Sequence, residues 1–191
     1  MQLYKKHPKP IQQAPSPKLV SYLQEVSVPK KPVADIACGY GRNGAYLAAK
    51  DHSVIFVDMD RDCLRFIASG KDVAETGDIP LDKILTLNLD LTEKWPFPAE
   101  SLGGLICVHF YFPGLLSRWL PSIAENGFLY LETIEARTCN ADTLPYKNEI
   151  RNLLMPDFII LHYSERKVKN APGSEERVAC CAFAIKKAHL S

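Results

Sequence analysis

The stretch "VADIACGYGRNGAYLAAK", residues 33–50, constrains this chain most: a strand-length apolar run, a turn with Gly39-x-Gly41-x-x-Gly44 spacing, then a helical pattern. Strand, glycine turn and helix in that order form the cradle an open parallel sheet offers a ligand, at the carboxyl ends of its strands where the strand order reverses. Gly39 and Gly41 permit positive φ and close backbone approach, and a helix beginning near Arg42 aims its free N–H groups at whatever the turn holds. Nicotinamide dinucleotide folds share this spacing, so the cofactor has to be read from the neighbouring residues.

The rest of the chain repeats the alternation. Apolar runs at "SVIFVD", "KILTLNL", "LGGLICVHF" and "GFLYLETI" have strand length, and "RNGAYLAAK", "DRDCLRFIAS" and "PGLLSRWLPSIA" are helical patterns between them. Such alternation predicts a parallel sheet with helices on both faces. After a short helix, "EIRNLLM", come two more strands, "DFIILHYSE" and "RVACCAFAIKK"; the turn-rich "RKVKNAPGS" between them predicts antiparallel pairing. The expected fold is α/β: a Rossmann-like doubly wound sheet of about seven strands, mostly parallel with an antiparallel last strand.

A chain of 191 residues suits one domain that buries roughly 70% of its unfolded surface. Prolines at 8, 10, 15 and 17 argue for an extended arm over residues 1–18, ahead of a single domain over 19–191 that opens with a covering helix in "KLVSYLQEV". With 23 basic against 22 acidic residues, the chain lacks the cationic excess of a nucleic-acid binder. No apolar run has the length of a signal peptide core or of the ~20 residues that span a bilayer, so the expectation is a cytoplasmic protein without a membrane partner. The six cysteines show no C-x-x-C spacing and sit mostly in apolar runs, which predicts buried, reduced thiols and no metal site.

Asp35 separates the possible cofactors. A carboxylate projecting into the crevice repels a pyrophosphate but attracts a ligand carrying an ammonium and a sulfonium, as S-adenosylmethionine does. The pattern acid-x-x-x-Gly-x-Gly resembles the first motif of the class I S-adenosylmethionine-dependent methyltransferases, with Ala37 where that family most often has glycine. Asp58, nineteen residues beyond Gly39, is placed to accept from both ribose hydroxyls, a position nicotinamide folds fill too. "LNLDLTEKWPFPAESLGGLICVHF" resembles the family's stretch from third to fourth strand, and "ENGFLYLETI" its fifth strand with the preceding turn. The resemblance runs from about Val33 to Ile134. It looks closest to small bacterial methyltransferases related to tellurite-resistance proteins, through "CGYGRNGAYLA" and "LYLETIE".

That resemblance implies cofactor contacts from Asp35, Ala37, Gly39, Tyr40, Gly41, Arg42, Asp58, Met59, Asp90 and Leu91. Asp90 would accept from the adenine amino group, and the Leu91 amide would meet a ring nitrogen. The Tyr40 ring would pack over the methionine portion, drawn to the sulfonium, and Arg42 would lie near a carboxylate. At the end of the fourth strand, His109 is the candidate general base or orienter, with Phe110 and Tyr111 as pocket wall.

The implied reaction is in-line methyl transfer from S-adenosylmethionine to a small-molecule acceptor. "HFYFPG" lacks the Asn/Asp-Pro-Pro-aromatic signature of DNA amino-methyltransferases. A nicotinamide-dependent oxidoreductase and a non-catalytic S-adenosylmethionine-binding protein remain the alternatives. The accepting atom is open among sulfur, selenium, tellurium, oxygen and nitrogen, and the oligomeric state is open too.

Overall fold

The computed structural model describes residues 14–71, 78–112, 114–133, 144–168 and 176–188. Its strands are β1 (Val33–Ile36), β2 (Val54–Asp58), β3 (Ile84–Asn88), β4 (Leu102–Val108), β5 (Ile123–Glu132), β6 (Phe158–Lys167) and β7 (Val178–Lys186). The helices are α1 (Pro17–Leu23), α2 (Arg42–Ala48), α3 (Arg61–Ala68), α4 (Leu116–Trp119) and α5 (Glu149–Leu154). All seven strands lie in one sheet, in the order β3-β2-β1-β4-β5-β7-β6. Neighbours from β3 to β5 pair parallel, and β7 runs antiparallel to both β5 and β6. The doubly wound sheet expected from the alternation therefore forms, including the antiparallel pairing of the last two strands.

Each face of the sheet carries its own apolar layer. Leu105, Cys107, Leu129 and Cys180 point to the layer that also contains Trp119 of α4 and Leu154 of α5. Phe56, Ile106, Tyr130 and Phe183 point to the layer with Leu19 of α1, Leu47 of α2 and Ile67 of α3. Covering on both faces explains why β1 and most of β7 read as unbroken buried runs instead of alternating ones. Strand order reverses between β1 and β4, which opens a crevice at their carboxyl ends.

One expected element differs. "PGLLSRWLPSIA" yields only the four-residue α4 and a 3₁₀ turn over Leu120–Ser122, and Ile123 already belongs to β5. Pro121 has no N–H to continue the helix. The early start of β5 is irregular: Leu102 pairs with Ile123 but Gly104 with Phe128, and Asn126 takes a left-handed φ of 60°.

Helix α1 begins at Pro17, where the fixed φ and missing donor suit a first turn. Residues 1–13, Cys139 and part of "RKVKNAPGS" lie outside the described residues. Among the described residues, no helix is long and apolar enough to cross a membrane, and no cluster of His, Cys, Asp or Glu could hold a metal ion.

Candidate cofactor site

The glycine turn sits between β1 and α2, at the strand-order reversal. Gly39 and Gly41 take left-handed φ of 54° and 79°. Gly44 serves packing: a Cβ there would lie 2.4 Å from Phe56 Cε1, so its absence lets α2 settle against β2. Two buried carboxylates pin the turn. Gly39 N donates to Asp58 Oδ2 at 2.7 Å, and Gly44 N donates to Asp35 Oδ2 at 2.8 Å. Asp58 Oδ1 also accepts from Asp60 N at 2.8 Å. The acids of β1 and β2 thus fix both ends of the loop that would meet the cofactor.

Asp35 is 2% exposed. Burial pushes its carboxyl up from 3.8 to about 7, the Gly44 N–H opposes that rise, the Asp58 charge adds to it, and Arg42 lowers it. A cation brought near would favour the charged form. Ala37 takes a left-handed φ of 49°. An L-residue pays about 1–2 kcal/mol for that conformation, which gives a physical reason for a glycine at this point of the turn.

The remaining predicted residues divide into groups. Met59, exposed, and Asp90, half-buried, lie near Asp58 where β2 and β3 end, since Leu89 N donates to Asp58 O at 3.1 Å and Asn88 Nδ2 to Met59 O at 3.0 Å. Asp60, not Asp58, caps α3, accepting from Asp62 N at 2.9 Å. Asp90 Oδ1 accepts from Thr92 N at 2.8 Å and Thr92 Oγ1 at 2.7 Å, so one of its oxygens stabilises the following turn, while the Leu91 side chain is buried in the core. The Tyr40 ring meets Phe66 of α3 edge-on, with centroids 5.5 Å apart, which turns it toward the α3 side of the loop. Arg42 Nη1 donates to Ala14 O at 3.2 Å.

At the end of β4, His109 is exposed, with a left-handed φ of 62°, and its N–H donates to Glu132 O at 2.7 Å. The two residues expected as pocket wall, Phe110 and Tyr111, both pack against the core layer. Phe110 stacks on Trp119, which stacks on Trp95. Tyr111 is 6% exposed, and its hydroxyl donates to Glu149 Oε1 of α5. Both rings join the apolar layer that contains Trp119 of α4 and Leu154 of α5.

The structure also brings in residues that the sequence reading did not single out. Ser16 is buried just ahead of α1; its N–H donates to Asn43 Oδ1 at 2.9 Å, and its Oγ donates to Glu132 Oε2 at 3.1 Å. Ser16 Oγ and the Tyr130 hydroxyl share a 2.8 Å hydrogen bond, and Tyr130 donates to Glu132 Oε2 at 2.6 Å. The segment before α1 therefore bridges the start of α2 and the end of β5. The available signal was the two-residue spacing of Tyr130 and Glu132, which puts both on one face of a strand.

Seven strands in this order, with β7 antiparallel and helices on both faces, make this the fold of the S-adenosylmethionine-dependent methyltransferases. Among solved structures, the chain is similar to an S-adenosylmethionine-dependent methyltransferase from Methanosarcina mazei, at 15% identity and a TM-score of 0.61, covering 92% of this chain and 100% of that one. It is similar to TehB from Haemophilus influenzae at 17% identity and a TM-score of 0.62, covering 89% of this chain but only 62% of TehB. An S-adenosylmethionine-dependent methyltransferase from Mesorhizobium loti aligns at 15% identity with a TM-score of 0.61, covering 89% of this chain and 96% of that one. No protein-family model matches the sequence, and no curated protein matches it.

Proposed function

We propose that the chain binds S-adenosylmethionine at the Gly39–Gly44 turn and transfers its methyl group to a small-molecule acceptor. The observation that carries this reading is the turn at the strand-order reversal, pinned by Asp35 and Asp58. The residues fit such a ligand: N–H donors at the start of α2, a strand-end carboxylate for ribose hydroxyls in Asp58, and a second carboxylate, Asp35, that opposes a pyrophosphate and favours a cation. Asp58 accepts the Gly39 and Asp60 N–H groups, which fixes its carboxylate at the end of β2 beside the turn.

The cofactor supplies a methyl group activated by positive sulfur. The chain's part is chiefly to align the acceptor behind that methyl, and positioning is worth on the order of 7–11 kcal/mol in favourable cases. His109, exposed at the end of β4, is the proposed orienter or base for the acceptor. The balanced charge supports a small soluble acceptor over nucleic acid, and a cytoplasmic setting is part of the same proposal.

Titration calorimetry tests the reading. Adenosylhomocysteine should bind and NAD should not; tight NAD binding without measurable adenosylhomocysteine binding would reverse the assignment in favour of an oxidoreductase.

A further inference from the structure

Beside the crevice, at the carboxyl ends of β5 and β6, lies a half-open cavity of about 260 Å³ lined by Lys18, Glu132, Thr133, Ser164, Glu165 and Arg166, with β7 as its wall. Its volume falls below the roughly 300–1,000 Å³ of sites for drug-sized ligands, which points to a metabolite of amino-acid size. Two cations and two carboxylates line it. A doubly anionic ligand would meet both carboxylates and a doubly cationic one would meet Lys18 and Arg166, whereas a ligand with one charge of each sign finds a partner for both.

The two carboxylates are not equivalent. Glu165 Oε1 already accepts from Asn148 N at 2.7 Å and from the Tyr163 hydroxyl at 2.6 Å. Glu132 is held through Oε2 alone, by Tyr130 and Ser16, so its orientation is fixed. Among the described residues only Lys18 approaches its Oε1, at 4.0 Å, beyond hydrogen-bond length. The Glu132 carbonyl accepts from His109 N, so the residue that faces the cavity is tied to the end of β4.

We infer that this cavity takes a free amino acid, its ammonium on Glu132 Oε1 and its carboxylate toward Lys18, and that the amino nitrogen is the methyl acceptor; the inference rests on the methyl-transfer reading above. Glu132 takes one proton from the ammonium and so frees the nitrogen lone pair. The N–C bond forms as the C–S bond breaks, and that electron pair stays on sulfur, leaving a neutral thioether. The product departs as a methylammonium, and Glu132 returns its proton to solvent. This assigns nitrogen as the accepting atom and gives Glu132 the base role that His109 need not fill.

The test is equilibrium dialysis of the full chain, with saturating adenosylhomocysteine, against an equimolar mixture of the twenty common amino acids, read by mass spectrometry. Parallel runs use the N-acetylated and the amidated mixtures. At least one free amino acid should be enriched tenfold or more over both of its capped forms. Glu132→Gln and Lys18→Gln should each abolish that enrichment, and Lys18→Gln, at a half-exposed position, should leave adenosylhomocysteine affinity within about twofold. With methyl-labelled S-adenosylmethionine in place of adenosylhomocysteine, the label should appear on the nitrogen of the enriched amino acid. No enrichment overturns the inference, as does enrichment that survives capping or both substitutions, or label on another atom. Calorimetry with adenosylhomocysteine alone separates the two levels: binding of it without any amino acid enriched sinks only this inference, and its failure to bind sinks the methyl-transfer reading.

Discussion

Asp35 is a buried carboxylate whose charge the fold holds at a cost. Its folded pKa, about 7, lies above the unfolded value of 3.8, so the folded chain binds the proton more tightly than the unfolded chain does. The contribution of Asp35 to stability is therefore most favourable below about pH 4 and falls as the pH rises toward 7, by about 2–4 kcal/mol at most. Asp35→Asn keeps an oxygen for Gly44 N and removes the buried charge. The variant's gain over the parent should be larger at pH 8 than at pH 4.5 by about 1–3 kcal/mol, as urea unfolding at the two values would show. A parent curve that is flat across that range would mean that Asp35 stays ionised when folded. The sequence made Asp35 legible as an acid at the end of β1 beside the glycine turn, but not its hydrogen bond to Gly44 N, because that contact depends on how closely α2 approaches β1. Ser16 and Glu132 were invisible for a related reason: they lie 116 positions apart in the sequence and meet only through the tertiary fold.

Among elements, the close seating of α2 on the sheet carries the site, and Gly44 sets it. Gly44→Ala would drive a methyl into the Phe56 ring, which belongs to a fully packed layer and cannot retreat. Overpacking of this kind costs about 1–3 kcal/mol, and the displaced helix would also draw Gly44 N away from Asp35. Adding Phe56→Leu, which shortens the opposing side chain, should recover part of the loss; a double-mutant cycle with no coupling would show that the two do not meet in the folded chain. Most elements were legible because strand runs and helical patterns alternate cleanly from Val33 onward. The boundary between α4 and β5 was not. Ile123 and Ala124 continue the helical apolar pattern of the preceding residues, and only the pairing of Ile123 with Leu102, a contact distant in sequence, draws them into the sheet.

Over the whole molecule, the sheet divides the interior into two apolar layers, and β7 passes between its neighbours β5 and β6 with both faces covered. Cys180 and Cys181 stand next to each other on that strand, yet Cys180 belongs to the layer of α4 and α5 and Cys181 to the layer of α1, α2 and α3. Burial pushes the Cys180 thiol up to about 12 and raises Cys181 as well, so neither offers an alkylating reagent much thiolate while the chain stays folded. The pair forms a built-in two-channel clock. Under slow labelling in native buffer, each thiol records the opening of its own side, and fragment mass spectrometry resolves the two adjacent adducts. Because β7 is an interior strand, both thiols should acquire label at one common rate, that of global unfolding; a faster Cys181 would mean that the side bearing α1 and the glycine turn breathes independently of the other.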